Sequence, residues 1–281
     1  MSEAPRQVAV VGLGLMGASF AAALKKARPE LRLLGVDRDE AVLQKALARG
    51  HVDAASPDLE LALAADAVFV AVPLRAMAEV LAGLAGHSGT VTDMASVKGP
   101  VMELARGVGL DLVGGHPMCG RELGGIDSAD PSIFENATWV LTRRDEAVEE
   151  LVKAVGAHPL ELEPELHDRL VAGISHAAFA VSVAYTLAMT GSPDWPRMAE
   201  LAAGGFRDTS RLASQDPAMY AELALTNREA LIERIDDVAE QLARLRRHLE
   251  RNDARLVELM EEAKTARDRW LKERENRARQ G

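Results

Sequence analysis

The stretch "VGGHPMCG" at residues 113–120 delivers His116 on two glycines and follows it with Pro117, which biases the preceding residue toward extended backbone. An imidazole ionises near pH 6.5, so a histidine presented in this way can take a proton from a substrate hydroxyl at neutral pH. A second histidine, His176, follows Ser175 in "AGISHAAFAV", and the run "TDMASVKG" brings Asp93, Ser96 and Lys98 close together. Plainer readings stand beside each of these. The glycines and proline make a turn, a histidine in a helix can be a satisfied core residue, and Asp93 or Ser96 can cap the helix that follows.

Removing a hydroxyl proton is half of an alcohol oxidation; the other half needs a hydride acceptor. "VAVVGLGLMGASF" provides for one, with Gly12, Gly14 and Gly17 in G-x-G-x-x-G spacing directly after an apolar strand and directly before a helical pattern. Gly12 allows the tight turn, Gly14 leaves room for a pyrophosphate, and Gly17 lets helix and strand pack closely, while free N–H groups at the helix start attract the anion. Leu13 and Met16, interleaved with the glycines, belong to the same expected cofactor site, as does Val72 in "AVPLRA". Twenty residues after Gly17, Asp37 ends "LRLLGVD", where a carboxylate accepts hydrogen bonds from ribose hydroxyls and repels a 2′-phosphate. NAD is therefore expected as the cofactor; Arg38 next door keeps NADP open as the alternative.

These groups need a scaffold at whose edge they meet. The first half of the chain alternates β-branched runs with amphipathic segments, the pattern of a doubly wound, Rossmann-type α/β domain with a parallel sheet. "LDLVGG", "ATWVLTRR" and "HPLELEP" read as further strands that extend the same sheet to about residue 162. From Pro164 onward the pattern is helical, with breaks at "TGSPDWP" and "AAGGFRDTS", so the expected domains are 1–163 for dinucleotide binding and an all-α domain over 164–281. Leu231, Ile235, Val238, Leu242, Leu245, Leu249, Asn252, Leu256 and Leu259 recur at steps of four and three, a heptad seam that packs within its own domain or between subunits.

The 281 residues suffice for two cores, and 48% hydrophobic with 27% charged residues is ordinary for a globular protein. The net charge of -10 argues against nucleic acid as a partner, and the seven basic against three acidic residues from Lys264 onward read as a solvated helix end. No apolar run is expected to span a bilayer and the N-terminus lacks a secretory pattern, so a cytoplasmic location is expected. A single cysteine, Cys119, excludes an internal disulfide and any cysteine-based metal cluster; it reads as a small buried filler, with a reactive thiol as the alternative. No metal site is expected.

Five stretches in order, "GLGLMGAS", "DMASVKG", "GGHPMCGRELGGIDSAD" with "IFENATWVLT", "GISHAAF" and "GGFRDTSRLASQDP", make the chain resemble the prephenate and arogenate dehydrogenases of tyrosine biosynthesis over almost its whole length. The resemblance implies a nucleotide-binding domain, a helical domain for substrate binding and dimerisation, a homodimer, and NAD-dependent oxidative decarboxylation of prephenate to 4-hydroxyphenylpyruvate. It implies that His116 takes the ring-hydroxyl proton, that Ser96 holds the hydroxyl and the cofactor side together, that Arg211 clamps a substrate carboxylate, and that Ser175 and His176 lie near substrate and nicotinamide. Many members read S-H-x-P-H where this chain has Ser175-His176-Ala177-Ala178-Phe179, which leaves the choice between prephenate and arogenate, and any inhibition by tyrosine, open. With neither a mutase-like nor a regulatory domain in view, a monofunctional enzyme is expected. The rival readings are a β-hydroxyacid dehydrogenase, which relies on an interdomain-helix lysine where this chain has none between Lys153 and Lys264, and an NAD-binding sensor without turnover.

Overall fold

The computed structural model describes residues 5–120 and 124–280. Arg121, Glu122 and Leu123 of the third resembling stretch lie outside the described residues. By compactness the chain divides into two units, residues 1–228 and 229–281.

In the first unit, six strands form one parallel sheet: β1 (Gln7–Val11), β2 (Arg32–Val36), β3 (Ala54–Ser56), β4 (Ala67–Val70), β5 (Thr90–Asp93) and β6 (Leu112–Val113), in the order β3-β2-β1-β4-β5-β6. Helices connect them: α1 (Leu15–Ala27), α2 (Glu40–Ala48), α3 (Glu60–Leu63), α4 (Leu74–Gly83) and α5 (Gly99–Gly107). Because successive strand residues face opposite sides, Val8 and Val10 enter one core with Phe20 and Phe69, while Ala9 and Val11 enter the other with Met77 and Leu81. Both faces are thereby covered, as a parallel sheet requires.

The later strands depart from expectation. β7 (Gly115–Pro117), β8 (Thr138–Leu141) and β9 (His158–Glu161) do not extend the parallel sheet but form a second, three-stranded one, with β7 antiparallel to β8 and β8 parallel to β9. Gly114, the one residue between β6 and β7, binds the residue after β8 through both backbone groups: its amide donates to the Thr142 hydroxyl (2.9 Å) and its carbonyl accepts the Thr142 amide (2.9 Å). The second sheet is fastened to the first by Trp139 of β8, which packs on Phe20, Phe69 and Phe134 at ring separations of 5.4–6.2 Å. α6 (Glu146–Ala154), capped by Asp145, links β8 to β9.

Helices α7 (Pro164–Val171), α8 (Ala177–Thr190), α9 (Trp195–Leu201), α10 (Gly204–Ser210) and α11 (Pro217–Thr226) complete this unit. Of the expected break "AAGGFRDTS", only Ala202 and Ala203 are non-helical; "GGFRDTS" is itself helix α10. α7 runs into α8 through one turn of π-helix, Ala172–His176. The continuous run Pro164–Thr190 is, among the described residues, the one helix long and apolar enough by composition to cross a membrane, with a mean hydropathy of 1.6 over an 18-residue window within it. That corrects the expectation that no such run exists. Two of its polar residues, His176 and Ser182, are nevertheless buried and hydrogen-bonded inside the fold.

The heptad positions are not one helix either. α12 (Arg228–Glu250) and α13 (Leu256–Gln280) are separated by a turn in which Asn252 takes φ +48°, a left-handed conformation that asparagine tolerates and leucine does not. Arg244 and Glu262 pair across the two helices at 3.4 Å. Ile235, Leu242 and Leu249 of the seam are exposed.

Candidate active site

The glycine loop is built from close approaches. The Gly12 amide donates to the Val36 carbonyl (2.7 Å), Gly12 takes φ +92°, and a Cβ on Gly17 would sit 1.9 Å from the Gly12 carbonyl oxygen, so only glycine fits there. Gly14 is different. Nothing lies within 4 Å of where its Cβ would be, and no side chain caps the amino end of α1 behind it. An open cradle in front of uncapped helix N–H groups fits a pyrophosphate. Asp37 closes the loop from the next strand, its carboxylate accepting from the Leu13 amide (2.7 Å) and the Asp39 amide (3.0 Å), with lone pairs left for ribose hydroxyls. Leu13 itself is fully buried in the core and presents only backbone to the loop; Met16 is half-buried, Val72 lies against Gly12, and Arg38 is exposed.

His116 projects from the middle of β7, opposite in direction to buried Gly115 and Pro117. Gly115 permits this placement, since a Cβ there would lie 2.3 Å from the Asp93 carbonyl. Asp93, at the end of β5, accepts the Gly115 amide (2.9 Å) and the Ala95 amide (2.8 Å) and pairs with Lys98, whose ammonium also donates to the Gly115 carbonyl (2.5 Å). Both Asp93 and Lys98 are fully buried. Neither Asp93 nor Ser96 caps α5. The Asp168 carboxylate does so from α7, accepting the amides of Lys98 (2.7 Å) and Gly99 (2.8 Å).

From Asp168 a chain of hydrogen bonds leads to both histidines. Its carboxylate accepts from His167 Nδ1 (2.7 Å), and His167 Nε2 lies 2.8 Å from His116 Nδ1. Its backbone carbonyl accepts from the Asn227 amide nitrogen (2.8 Å), which lies 3.2 Å from His176 Nδ1. His176 closes the π-turn, where the wider backbone spacing rotates it relative to a regular helix. His167, Asp168 and Asn227 are not among the residues that the sequence pattern selects. "ELHDRL" reads as an amphipathic helix, and only the fold shows that one end of α7 meets both β7 and the start of α5.

The electrostatics follow from this packing. Burial, then the Lys98 ammonium and the two neighbouring imidazoles, hold His116 well below 6.5, so it is neutral at physiological pH. Burial lowers His176 to about 4, against the pull of Asp168. Burial alone would raise the Asp168 carboxyl, but the His167 hydrogen bond and the two backbone amides outweigh it and hold the group below the ordinary range. Cys119, raised to about 12 by burial, is a packing residue and not a nucleophile.

The other expected site residues differ in their exposure. Ser96 is half-buried between β5 and α5, and Ser175 is half-buried beside His176. Arg211 is exposed at the start of a short 3-10 turn, Arg211–Ser214, which is held against α8 by the Ala213 amide on Ser182 (3.1 Å). Phe179, in the position of the missing second histidine, stacks on Tyr220 at 3.9 Å. Among the described residues no cluster of three metal-ligating side chains occurs.

Two family models cover most of the chain: the nucleotide-binding domain of prephenate dehydrogenase matches residues 20–161, and its dimerization domain matches residues 163–262. The chain belongs to the prephenate dehydrogenase family. It is 34% identical to the prephenate dehydrogenase of Lactococcus lactis over 93% of this chain and 77% of the relative. With that of Bacillus subtilis the identity is 33%, over 95% and 76%. Among solved structures it resembles Aquifex aeolicus prephenate dehydrogenase in complex with hydroxyphenyl propionate and NAD+ (TM-score 0.88, 28% identity, 96% and 99% covered). It also resembles Synechocystis arogenate dehydrogenase (TM-score 0.82, 32% identity, 94% and 99% covered).

Proposed function

We infer that the chain catalyses NAD-dependent oxidative decarboxylation of prephenate to 4-hydroxyphenylpyruvate, the tyrosine-forming branch of aromatic amino-acid synthesis. The observation that carries the chemistry is a neutral His116, hydrogen-bonded through Nδ1, on a sheet edge shared with the glycine loop's domain. In the proposed reaction the hydroxyl proton of the substrate passes to His116. NAD held at the glycine loop and Asp37 would supply the acceptor for the hydride from the same carbon. The ring carboxylate then leaves as carbon dioxide, and its bonding pair completes the aromatic ring. A positioned base of this kind contributes roughly 100- to 10,000-fold.

Gly12, Gly14 and Gly17, with backbone from Leu13 and contacts from Met16 and Val72, are proposed to hold NAD. Asp37 favours NAD because an acceptor-only carboxylate would face a 2′-phosphate, while Arg38 stands beside it as the residue that NADP would use. Ser96 is proposed to bind the reacting hydroxyl, Ser175 and His176 the substrate near the nicotinamide, and Arg211 a carboxylate, for which its planar fork is suited. Residues 1–163 and 164–281 are proposed as the cofactor domain and the substrate and dimerisation domain of each subunit of a cytoplasmic homodimer. Exposed Ile174, Leu187, Leu201 and Leu225 give the helical half an apolar surface in keeping with a subunit contact.

Arogenate is the second reading, favoured by the Phe179–Tyr220 stack where a polar group could otherwise meet the substrate side chain. Initial rates of reduced-cofactor formation, with prephenate or arogenate and with NAD or NADP, decide both questions. Prephenate with NAD is expected to give the highest kcat/KM. Exchanging Phe179→His is expected to shift the prephenate-to-arogenate ratio by roughly tenfold, the size of one polar contact. Tight NAD binding without turnover of either substrate would overturn the assignment.

A further inference from the structure

The hydrogen bonds around residue 168 constrain where the protons sit on both histidines. An ionised carboxylate only accepts, so the 2.7 Å contact requires a proton on His167 Nδ1. Where His167 carries only that proton, its Nε2 lone pair faces His116 Nδ1, 2.8 Å away, and the bond is made by His116 donating from Nδ1. His116 is left with a bare Nε2. On the other side, the Asp168 carbonyl can only accept, which fixes the amide nitrogen of Asn227 toward it and toward His176 Nδ1. His176 therefore accepts at Nδ1 and carries its proton on Nε2.

We propose that His167, Asp168 and Asn227 are positioning residues that hold the two active-site histidines in opposite neutral tautomers, His116 as a proton acceptor at Nε2 and His176 as a hydrogen-bond donor at Nε2. The inference rests on the reading of His116 as the base and adds the device that makes it one. When the substrate proton arrives at His116 Nε2, the resulting imidazolium donates from Nδ1 to His167, which is in turn anchored by the Asp168 carboxylate. His176, unable to accept at Nε2, presents an N–H suited to a carboxylate or keto oxygen. A doubly protonated His167 would reverse the arrangement: it would donate to His116 Nδ1, place the His116 proton on Nε2, and leave no base for a hydroxyl.

The direct test is long-range proton–nitrogen correlation NMR on the full-length protein with 15N-labelled histidine at neutral pH. The signals of His116 and His176 are identified among the seven histidines by their loss in the His116→Asn and His176→Asn variants. The expected result is a protonated Nδ1 and bare Nε2 for His116, and the reverse for His176. The same tautomer at both, or a protonated Nε2 on His116, would overturn the proposal. Because this readout needs no substrate, it can fail while turnover stands, or stand while turnover fails, and so separates the device from the assigned reaction.

A kinetic arm uses two variants of His167. Gln keeps an acceptor for His116 Nδ1, whereas Leu fills similar space without one. His167→Leu is expected to lower kcat by about 100-fold with KM within about threefold, and His167→Gln to recover most of that loss. Equal losses in the two variants at similar thermal stability would overturn the positioning role.

Discussion

The glycine loop and the histidine chain do neighbouring jobs by opposite means. The loop is local: Gly12 through Gly17 form one turn, joined by one carboxylate, Asp37, from the next strand. The histidine chain is assembled from β5, β7, the continuous stretch of α7 and the π-turn, and the residue after α11, four segments separated in sequence. Sterically the loop depends on its two outer glycines, Gly12 and Gly17, while Gly14 between them has open space. A relay of buried polar groups depends on every member, because each atom left without its partner bears its full desolvation penalty.

That contrast is sharpest at Lys98, which is fully buried and shared between Asp93 and the carbonyl of Gly115. Replacing Lys98→Met strands a buried carboxylate beneath the strand that carries His116, and is expected to lower unfolding free energy by about 3–5 kcal/mol in urea denaturation. The double variant Lys98→Met with Asp93→Leu, which removes both charges, is expected to regain part of that loss. A single variant as stable as the parent would show that the pair does not hold the site.

Acid titration addresses the same chain through protons. An unfolded histidine takes up a proton near pH 6.5, whereas folded His176 does so only at about 4. Between those values the unfolded state binds more protons, so this contribution is fully present above pH 6.5 and is lost as pH falls toward 4. It amounts to roughly 3 kcal/mol. His116 acts in the same direction, its folded value also being depressed by burial. Denaturation midpoints measured from pH 7 to 4.5 should fall more steeply for the parent than for His176→Asn. Parallel curves would refute a buried neutral His176.

The loop should answer differently. In Gly17→Ala the new methyl meets the Gly12 carbonyl oxygen, and the loop must shift. The expected cost is about 1–3 kcal/mol of stability, together with at least roughly tenfold weaker NAD binding by calorimetry. Unchanged NAD affinity would mean that the cradle in front of α1 is not the pyrophosphate site.

How much of this was legible in the sequence follows the same division. Glycine spacing, the strand before it and the acid at the next strand's end are consecutive signals, and the alternating pattern correctly gives the parallel sheet and the helices around it. His116 stands out for the same reason, since Gly114, Gly115 and Pro117 are backbone signals. His167 and Asp168 carry no such mark: adjacent residues in a helix point in different directions, and nothing in "ELHDRL" shows that one meets β7 and the other caps α5. Asn227 is invisible for a similar reason, since its role is created by contact with residues 168 and 176. The single sheet expected through residue 162 fails because β7 pairs with β8 and not with the strands before it, and periodicity does not report pairing partners. The heptad seam fails at Asn252, where a steady count of threes and fours continues straight through a left-handed turn.

The most direct test of the account is turnover by the His116→Asn variant with NAD affinity measured on the same preparation. Asparagine keeps a polar group near Nδ1 and removes the proton acceptor at Nε2. The account predicts that kcat falls by about 100- to 10,000-fold while NAD affinity and thermal stability stay close to those of the parent. A variant that turns over substrate within a fewfold of the parent would contradict it, because the proton would then leave the hydroxyl by a route in which His116 takes no part.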